Sequence, residues 1–290
     1  MLNPDNEHRV ALVTHSSAGV GRALRVTDQV SSLLTVKDIG HELFTDEWPA
    51  DFYGFTMVWI IGGDGTMNQF VNRYPEISIP IGLLNGGTGN DFHWLLYGET
   101  TILDQVDLML QSTPVPIDLG TCNDGYFING IGIGFEGAVA CALNGKRKRP
   151  GKTSFMLAVL QKILSYRCAD YDVRYNGRRM SGRFLLLDLS NGSRAGGGFH
   201  VAPIARPDDG YLDLVTAGPL NPLQRLRYLP VIERGKHLHL PFVCHERLQS
   251  ISIESNTVLQ YHCDGEYAEA RRLEIGVLPG QLRFLCKPLN

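Results

Sequence analysis

The stretch Trp59-Ile60-Ile61-Gly62-Gly63-Asp64-Gly65-Thr66-Met67-Asn68 runs a continuous apolar segment into an acid set among three glycines. A short apolar run bounded by glycine reads as a buried strand, and Met67 to Arg73 beyond it fits a helix. A plain turn at the junction needs one glycine and no acid. Three glycines free the backbone to aim N–H groups inward and let an anion approach, while the following helix adds its positive end. The pattern predicts a phosphate cradle. Phosphate repels Asp64 unless a cation lies between them, which points to Mg2+ bridging acid and nucleotide. A second stretch, Leu84-Asn85-Gly86-Gly87-Thr88-Gly89-Asn90-Asp91-Phe92, repeats the logic with its own acid. Two such loops at neighbouring strand ends are expected to face one crevice.

Working outward, Arg9 to Thr14, His41 to Thr45, Thr56 to Ile61 and Ile79 to Leu84 read as strands, with Val20 to Leu34 and Met67 to Arg73 as helices between them. This alternation predicts a parallel α/β sheet, whose ligands sit at the carboxyl ends of the strands. The second half has a different period. One helix, about Ser154 to Tyr166, precedes alternating runs at Asp172 to Tyr175, Arg183 to Leu189, Tyr211 to Thr216, Ser250 to Glu254, Val258 to His262 and Gln281 to Cys286. Asn176-Gly177 and Asp209-Gly210 mark turns, so a mainly antiparallel β domain is expected, with the boundary near Ile117 to Tyr126.

The chain has 290 residues and 43% hydrophobic content, enough for a substantial core. No apolar run reaches the roughly 18 residues of a membrane span, and MLNPDNEHRV lacks the basic-then-apolar order of a signal peptide, so a cytoplasmic location is expected. The six cysteines lie far apart without a C-x-x-C pair, which argues against a disulfide framework or a zinc cluster. A net charge of −3 lacks the footprint of a nucleic-acid binder. The basic run Lys146 to Arg149, with Lys152, reads as a solvated loop, the alternative being attraction to anionic lipid. Phe155 to Leu160 reads as core, the alternative being a lipid entrance.

Two other glycine patterns invite a nucleotide reading. Gly145 to Gly151 before Lys152-Thr153 resembles a P-loop, but five residues separate its glycines and no strand leads into it. Gly132-Ile133-Gly134-Phe135-Glu136-Gly137 matches G-x-G-x-x-G, yet no acid occurs between Glu136 and Asp170 to take a ribose. The basic run leaves an NADP reading open. The other reading is that these glycines let a strand bend or a second backbone come close. His237 and His239 alternate as metal ligands do, but no third ligand stands at suitable spacing.

Several separated blocks resemble the diacylglycerol kinase catalytic-domain family, which includes bacterial lipid kinases and sphingosine kinases. Gly62-Gly63-Asp64-Gly65-Thr66-Met67-Asn68 is similar to the family's G-G-D-G-T-x-N-E, and Gly87-Thr88-Gly89-Asn90-Asp91-Phe92 to its G-T-G-N-D-F. Asn191, Gly196-Gly197-Gly198, Pro203 and Asp208-Asp209-Gly210-Tyr211-Leu212-Asp213 are similar to N…G-G-G…P…D-D-G-x-L-D, and Asp264-Gly265-Glu266 to its D-G-E. The resemblance implies an α/β fold of two domains. One is an α/β nucleotide-binding domain over 1–120, rejoined by the segment 279–290, and the other is an antiparallel β-sandwich over 121–278. It implies ATP between them, contacted by Ser16, Ser17, Ala18 and Gly19, by Thr45, by Gly62 to Asn68 and by Thr88. The D-D-G turn resembles a secondary Mg2+ site using Asp209 with carbonyls of Arg206 and Tyr211; a hairpin turn without an ion is the alternative.

The chain departs from the family at His15-Ser16, where Asn-Pro is usual, at Gln69 for Glu, at Asn85 for Pro and at His93-Trp94 for Ala-Arg. The acids are kept. Asp64 and Asp91 are expected to hold the metal, directly or through water, and Asp264 and Glu266, two apart on a strand, to share one face. One takes the proton of the acceptor hydroxyl while the other orients it, the order being open. The expected activity is ATP-dependent phosphorylation of a lipid hydroxyl, diacylglycerol-like by default, at a membrane surface. An NAD kinase-like enzyme and a silent nucleotide-binding regulator are the alternatives, and a homodimer is compatible with each.

Overall fold

The computed structural model describes residues 8–144 and 152–289. The basic run Lys146 to Arg149 and the Gly145 to Gly151 pattern lie outside them. Two compact units divide the chain, Met1–Ile117 with Gly280–Asn290, and Asp118–Pro279.

In the first unit the elements are β1 (Arg9–Thr14), α1 (Arg22–Val36), β2 (Gly40–Thr45), β3 (Met57–Gly62), α2 (Asp64–Arg73), β4 (Ile81–Asn85), α3 (Asp91–Tyr97) and α4 (Ile102–Gln111). The strands are parallel in the order β2-β1-β3-β4, with Leu12 opposite Trp59 and Ile60 opposite Leu83. Covered on both faces, β3 is buried throughout, which is why it reads as an unbroken apolar run. Helix α1 lays Ala23, Val26, Val30 and Leu34 along one side and packs them on Leu12, Trp59 and Ile61. On the other face Trp48, Phe52, Phe70 and Tyr74 form an aromatic cluster, in which Phe70 and Tyr74 have ring centroids 5.0 Å apart. The chain's last strand ends here too, Phe284 pairing with Ile81. Because β2 and β3 lie on opposite sides of β1, the order reverses between β1 and β3. That switch point is where an open α/β sheet offers its crevice.

The second unit holds β6 (Gly125–Phe127), β7 (Gly130–Gly134), α5 (Phe135–Leu143), α6 (Lys152–Ser165), β8 (Ala169–Tyr175), β9 (Arg178–Phe184), β10 (Leu186–Ser190), β11 (Leu212–Ala217), α7 (Pro222–Glu233), β12 (Val243–Leu248) and β13 (Ser250–Cys263). Two strands cross its limits, β5 (Val115–Cys122) and β14 (Glu266–Phe284). Antiparallel pairing runs β12-β11-β10-β7-β13-β14, with the β8–β9 hairpin added to β13. Ile131, Ile133, Leu187, Leu189, Leu214 and Ile253 fill its core. The hairpin turns at Asn176 and Gly177, both at positive φ, as Asn-Gly favours. Ser250 to Glu254 and Val258 to His262 are one strand rather than two, joined through a register shift between Glu254 and Leu259. Arg183 to Leu189, read as one strand, is divided between β9 and β10 at Leu185.

The G-x-G-x-x-G pattern is explained by protein atoms. A Cβ at Gly132 would lie 2.1 Å from Glu136 Oε2 and 2.4 Å from His262 Nε2, and one at Gly137 would lie 2.0 Å from the Gln260 carbonyl oxygen. These glycines serve close packing of α5 on β13. The obstacle at Gly137 is rigid backbone, so Gly137→Ala is expected to lower unfolding free energy by about 3 kcal/mol in urea titrations. Gly177→Ala, with open space around the built Cβ, meets no such obstacle and loses only what its positive φ costs, about 1 kcal/mol.

Candidate active site

At the carboxyl edge of the first unit the two glycine loops pack backbone on backbone. A Cβ built on Gly87 would stand 2.2 Å from the Gly63 Cα, and one on Gly63 would stand 2.4 Å from the Gly89 carbonyl oxygen. Gly19, at φ +57, is equally confined, its Cβ position 2.1 Å from the Gly86 oxygen. The loops are then hydrogen-bonded to each other. Gly86 N–H donates to Gly62 O at 2.9 Å, and Asp64 N–H to Gly89 O at 3.2 Å. The Asn90 side chain closes the second loop on Gly87 at 3.1 and 3.0 Å.

Asp64 completes the joint. Its Oδ2 accepts Asp91 N–H and its Oδ1 accepts Phe92 N–H, each at 3.1 Å, so one loop's acid caps the helix that starts from the other. The two helix starts therefore differ. The first turn of α3 is capped by a carboxylate, while α2 begins at Gly63 with no side-chain cap. Geometry denies the amides of Gly65 and Thr66 an intrahelical acceptor, and they form the anion-attracting end. Asp91 is buried beside this joint.

The first-strand turn lies at the same edge, Thr14 opposite Thr45. Ser16 N–H donates to Asp46 Oδ1 at 2.9 Å, and His15 Nδ1 approaches the same oxygen at 3.2 Å. The hydroxyl and amide of Ser16, with His15 beside them, hold the Asp46 carboxyl below its usual range. His15 also stacks on Trp48, centroids 4.5 Å apart, and its Nε2 meets Gln69 Oε1 at 2.8 Å. Two departures from the family pattern, His15 and Gln69, are thus partners across 54 positions of sequence. A third, His93, is a packing residue hydrogen-bonded to Gln105 in the core at 3.1 Å. The edge gathers Ser16 to Gly19, Thr45, Gly62 to Asn68 and Thr88.

In the second unit Asp264 and Glu266 are not successive outward positions of a strand. Cys263 pairs with Glu266, and Asp264 and Gly265 form the turn between β13 and β14 at φ +48 and +88, the signature of a type I′ hairpin. The Asp264 carboxylate folds back onto the corner before β7. Its Oδ2 accepts Ile128 N–H at 2.8 Å and its Oδ1 accepts Asn129 and Gly130 N–H at 2.9 and 3.0 Å. Glu266 opens β14 at the exposed end of the hairpin.

The D-D-G turn carries its own cation. Arg247 pairs with Asp209 Oδ2 while its guanidinium carbon lies 4.5 Å over the Tyr211 ring, and Asp209 Oδ1 accepts Tyr211 N–H at 3.1 Å. Arg206, the expected carbonyl ligand, forks its guanidinium onto Asp208 at 3.0 Å. The Arg247 guanidinium thus balances the Asp209 charge that a divalent ion at this turn would otherwise meet. Among the described residues no group of three His, Cys, Asp or Glu side chains is arranged to hold a metal. Asp118, which the sequence reading did not single out, is buried here and accepts Gly210 N–H at 2.7 Å. Its only sequence signal is an acid inside an apolar strand.

A second polar cluster lies behind the hairpin. His262 Nδ1 accepts Gly265 N–H at 3.3 Å, and its Nε2 stands 4.0 Å from Glu136 Oε2. Asp188 accepts the Ser190 hydroxyl at 2.6 Å. Burial pushes the Asp188 carboxyl up to about 7, raises Glu136, and lowers His262 to about 4. His237, one of the two alternating histidines, is bonded in the core to the Val201 carbonyl at 2.8 Å.

Two outcomes are expected. The melting temperature should be the same in Mg2+ and in EDTA without nucleotide. Arg247→Ala should lower it by about 2 °C in EDTA, and Mg2+ should restore it; a parent protein whose melting temperature rises with Mg2+ and loses that rise in Asp209→Asn has the ion instead. For the buried acids, Asp188 has a folded value above its ordinary one, so its contribution is full below about pH 4 and is lost as pH rises through about 7. His262, lowered, has the opposite sign, and its contribution is lost as pH falls from about 6.5 toward 4. Urea unfolding of Asp188→Asn across that window should lack the loss on the alkaline side.

Residues 9–122 match the diacylglycerol kinase catalytic domain, and residues 129–286 match the YegS C-terminal NAD kinase beta sandwich-like domain. A diacylglycerol kinase of Staphylococcus carnosus (strain TM300) is 31% identical over 216 residues, 73% of this chain and 71% of the relative. One from Staphylococcus aureus (strain JH9) is 30% identical over 209 residues, 71% and 66% of the two chains. The crystal structure of a diacylglycerol kinase from Bacillus anthracis (strain Sterne) superposes with a TM-score of 0.71 at 20% identity, covering 99% of both chains, which speaks to the fold. An α/β domain followed by a β-sandwich-like domain, matched along both halves, is the plan of one family. The chain belongs to the diacylglycerol kinase catalytic-domain family.

Proposed function

We propose that the protein is an ATP-dependent kinase that transfers the γ-phosphate to the hydroxyl of a diacylglycerol-like lipid. The observation that carries this reading is the joint of the two glycine loops, which leaves the uncapped start of α2 at the sheet's switch point with two acids beside it. Family relatives named diacylglycerol kinase support the kinase class and the lipid acceptor.

In this reading the amides of Gly65 and Thr66 and the turn Ser16 to Gly19 receive the phosphates, with Thr45 and Thr88 at the same edge. Asp64, which holds the α3 amides, and the buried Asp91 are the acids at this edge that would hold Mg2+, directly or through water. Bound there, the ion would neutralise charge on the transferring phosphoryl group. Glu266 takes the proton of the acceptor hydroxyl as its oxygen bonds to the γ-phosphorus; the bond from that phosphorus to the β-γ bridging oxygen breaks and ADP leaves. Asp264, holding three backbone amides, positions the hairpin that carries Glu266 and is poorly placed to take a proton. The lipid acceptor implies work at a membrane surface from the cytoplasmic side.

Incubation with labelled ATP, Mg2+ and a lipid panel should place label in organic-extractable phospholipid. Label on NAD instead sinks the lipid assignment, and no label on any alcohol sinks the kinase assignment. Glu266→Gln should lower kcat by about 10²- to 10⁴-fold with the KM for ATP nearly unchanged. Asp64→Ala should lose activity and about 2 kcal/mol of stability together, since it removes a helix cap as well as a ligand.

A further inference from the structure

The turn that leads into Glu266 is held from two sides. On one side the Asp264 carboxylate takes the amides of Ile128, Asn129 and Gly130, and the Asp264 N–H donates to the Gly130 carbonyl at 2.9 Å. These bonds fix the first half of the turn. On the other side the Gly265 N–H donates to His262 Nδ1 at 3.3 Å. This amide belongs to the peptide between the two central residues, the one whose flip converts a type I′ turn into a type II′ turn. Holding it sets the direction in which the chain enters Glu266, the next residue.

The surroundings of the imidazole suit it to that task. His262 lies opposite Gly132, and Gly132 opposite Asp188, so one row across β13, β7 and β10 carries an imidazole, a gap and an acid. Glu136 of α5 enters the same gap, where a Cβ on Gly132 would meet its Oε2 at 2.1 Å and His262 Nε2 at 2.4 Å. A ring that accepts at Nδ1 carries its proton at Nε2. That nitrogen faces Glu136 Oε2 at 4.0 Å, and the oxygen is buried without a hydrogen-bond partner among the described residues. Burial and the neighbouring Asp188 raise the Glu136 carboxyl, so it offers the ring little negative charge, while burial lowers His262 itself to about 4. A charged ring has protons on both nitrogens and loses the Gly265 bond. A neutral ring in the Nε2–H tautomer keeps it.

We propose that His262 is a positioning residue for the transfer: carrying its proton on Nε2, it holds the central peptide of the Asp264-Gly265 turn at Nδ1 and thereby aims the Glu266 carboxylate at the acceptor hydroxyl. This rests on the reading of Glu266 as the base and deepens it by naming the group that orients that base. No proton passes through the ring, whose part is to fix a backbone.

The test compares two substitutions in the full chain. His262→Phe keeps a ring and removes the acceptor, whereas His262→Asn offers Oδ1 near the place of Nδ1. Nitrogen NMR of the labelled parent at about pH 7 should show Nδ1 bare and Nε2 protonated. Exchange of the Gly265 amide should quicken about tenfold in His262→Phe and return toward the parent rate in His262→Asn. With labelled ATP and diacylglycerol, His262→Phe should lower kcat about ten- to hundredfold with the KM for ATP nearly unchanged, and His262→Asn should recover most of that loss. A proton on Nδ1, equal Gly265 exchange in the parent and His262→Phe, or a kcat in His262→Asn as low as in His262→Phe overturns the proposal. So does a kcat that His262→Phe leaves intact. The NMR and exchange results need no turnover, so they decide whether His262 holds the turn even where a parent inactive on every alcohol overturns the catalytic role together with the reading beneath it.

Discussion

The first unit depends on one acid reaching across a gap between loops. Asp64 sits at the end of β3, but its carboxylate is spent on the first amides of α3, which begins after β4. Two consequences follow from that single placement. The loops are held as one body, and the helix start left uncapped is the one that follows Gly62-Gly63. An anion arriving at the sheet edge thus finds one positive terminus open and one already neutralised. The glycines answer to the same constraint. Gly63 and Gly87 lie so close that any Cβ would separate the loops, and Gly19 meets Gly86 in the same way.

The second unit solves a similar problem with a different device. A type I′ turn needs positive φ at both central residues, and Asp-Gly meets that cheaply. The Asp side chain is then free to hold the corner at Ile128 to Gly130, so turn chemistry and tertiary fixation come from one residue. Behind the hairpin, His262 accepts the Gly265 amide and faces Glu136 at 4.0 Å across the space that Gly132 leaves. Burial raises the Asp188 carboxyl there to about 7, so it is held uncharged in mildly acid solution and its charge has to be desolvated only as pH rises through neutrality. On the D-D-G turn Arg247 balances the charge of Asp209.

Much of the architecture was legible in the sequence because its signals are local. The four parallel strands, α1, α2 and the Asn176-Gly177 hairpin follow from period and turn chemistry, and each lies within a few residues of its expected bounds. What escaped was set by partners distant in sequence. No window around Gly63 reveals that Gly87 lies against it, and none around His15 reveals Gln69. Glycine spacing suggested room for a ligand, whereas the nearest neighbours of these backbones are other backbones. The reading of Asp264 and Glu266 as one strand face failed because a two-residue turn breaks the alternation between them. The bulge after Glu254 lacked a Gly or Pro to announce it, so one strand read as two.

Asp64 ties the second loop to the first by holding the amides of Asp91 and Phe92. Amide hydrogen exchange at those two residues, followed in the parent and in Asp64→Ala, tests it most directly. Both amides should be protected in the parent and should lose about tenfold or more of that protection in the variant, while the amides of β1 keep theirs. Equal exchange at Asp91 and Phe92 in the two proteins would contradict it.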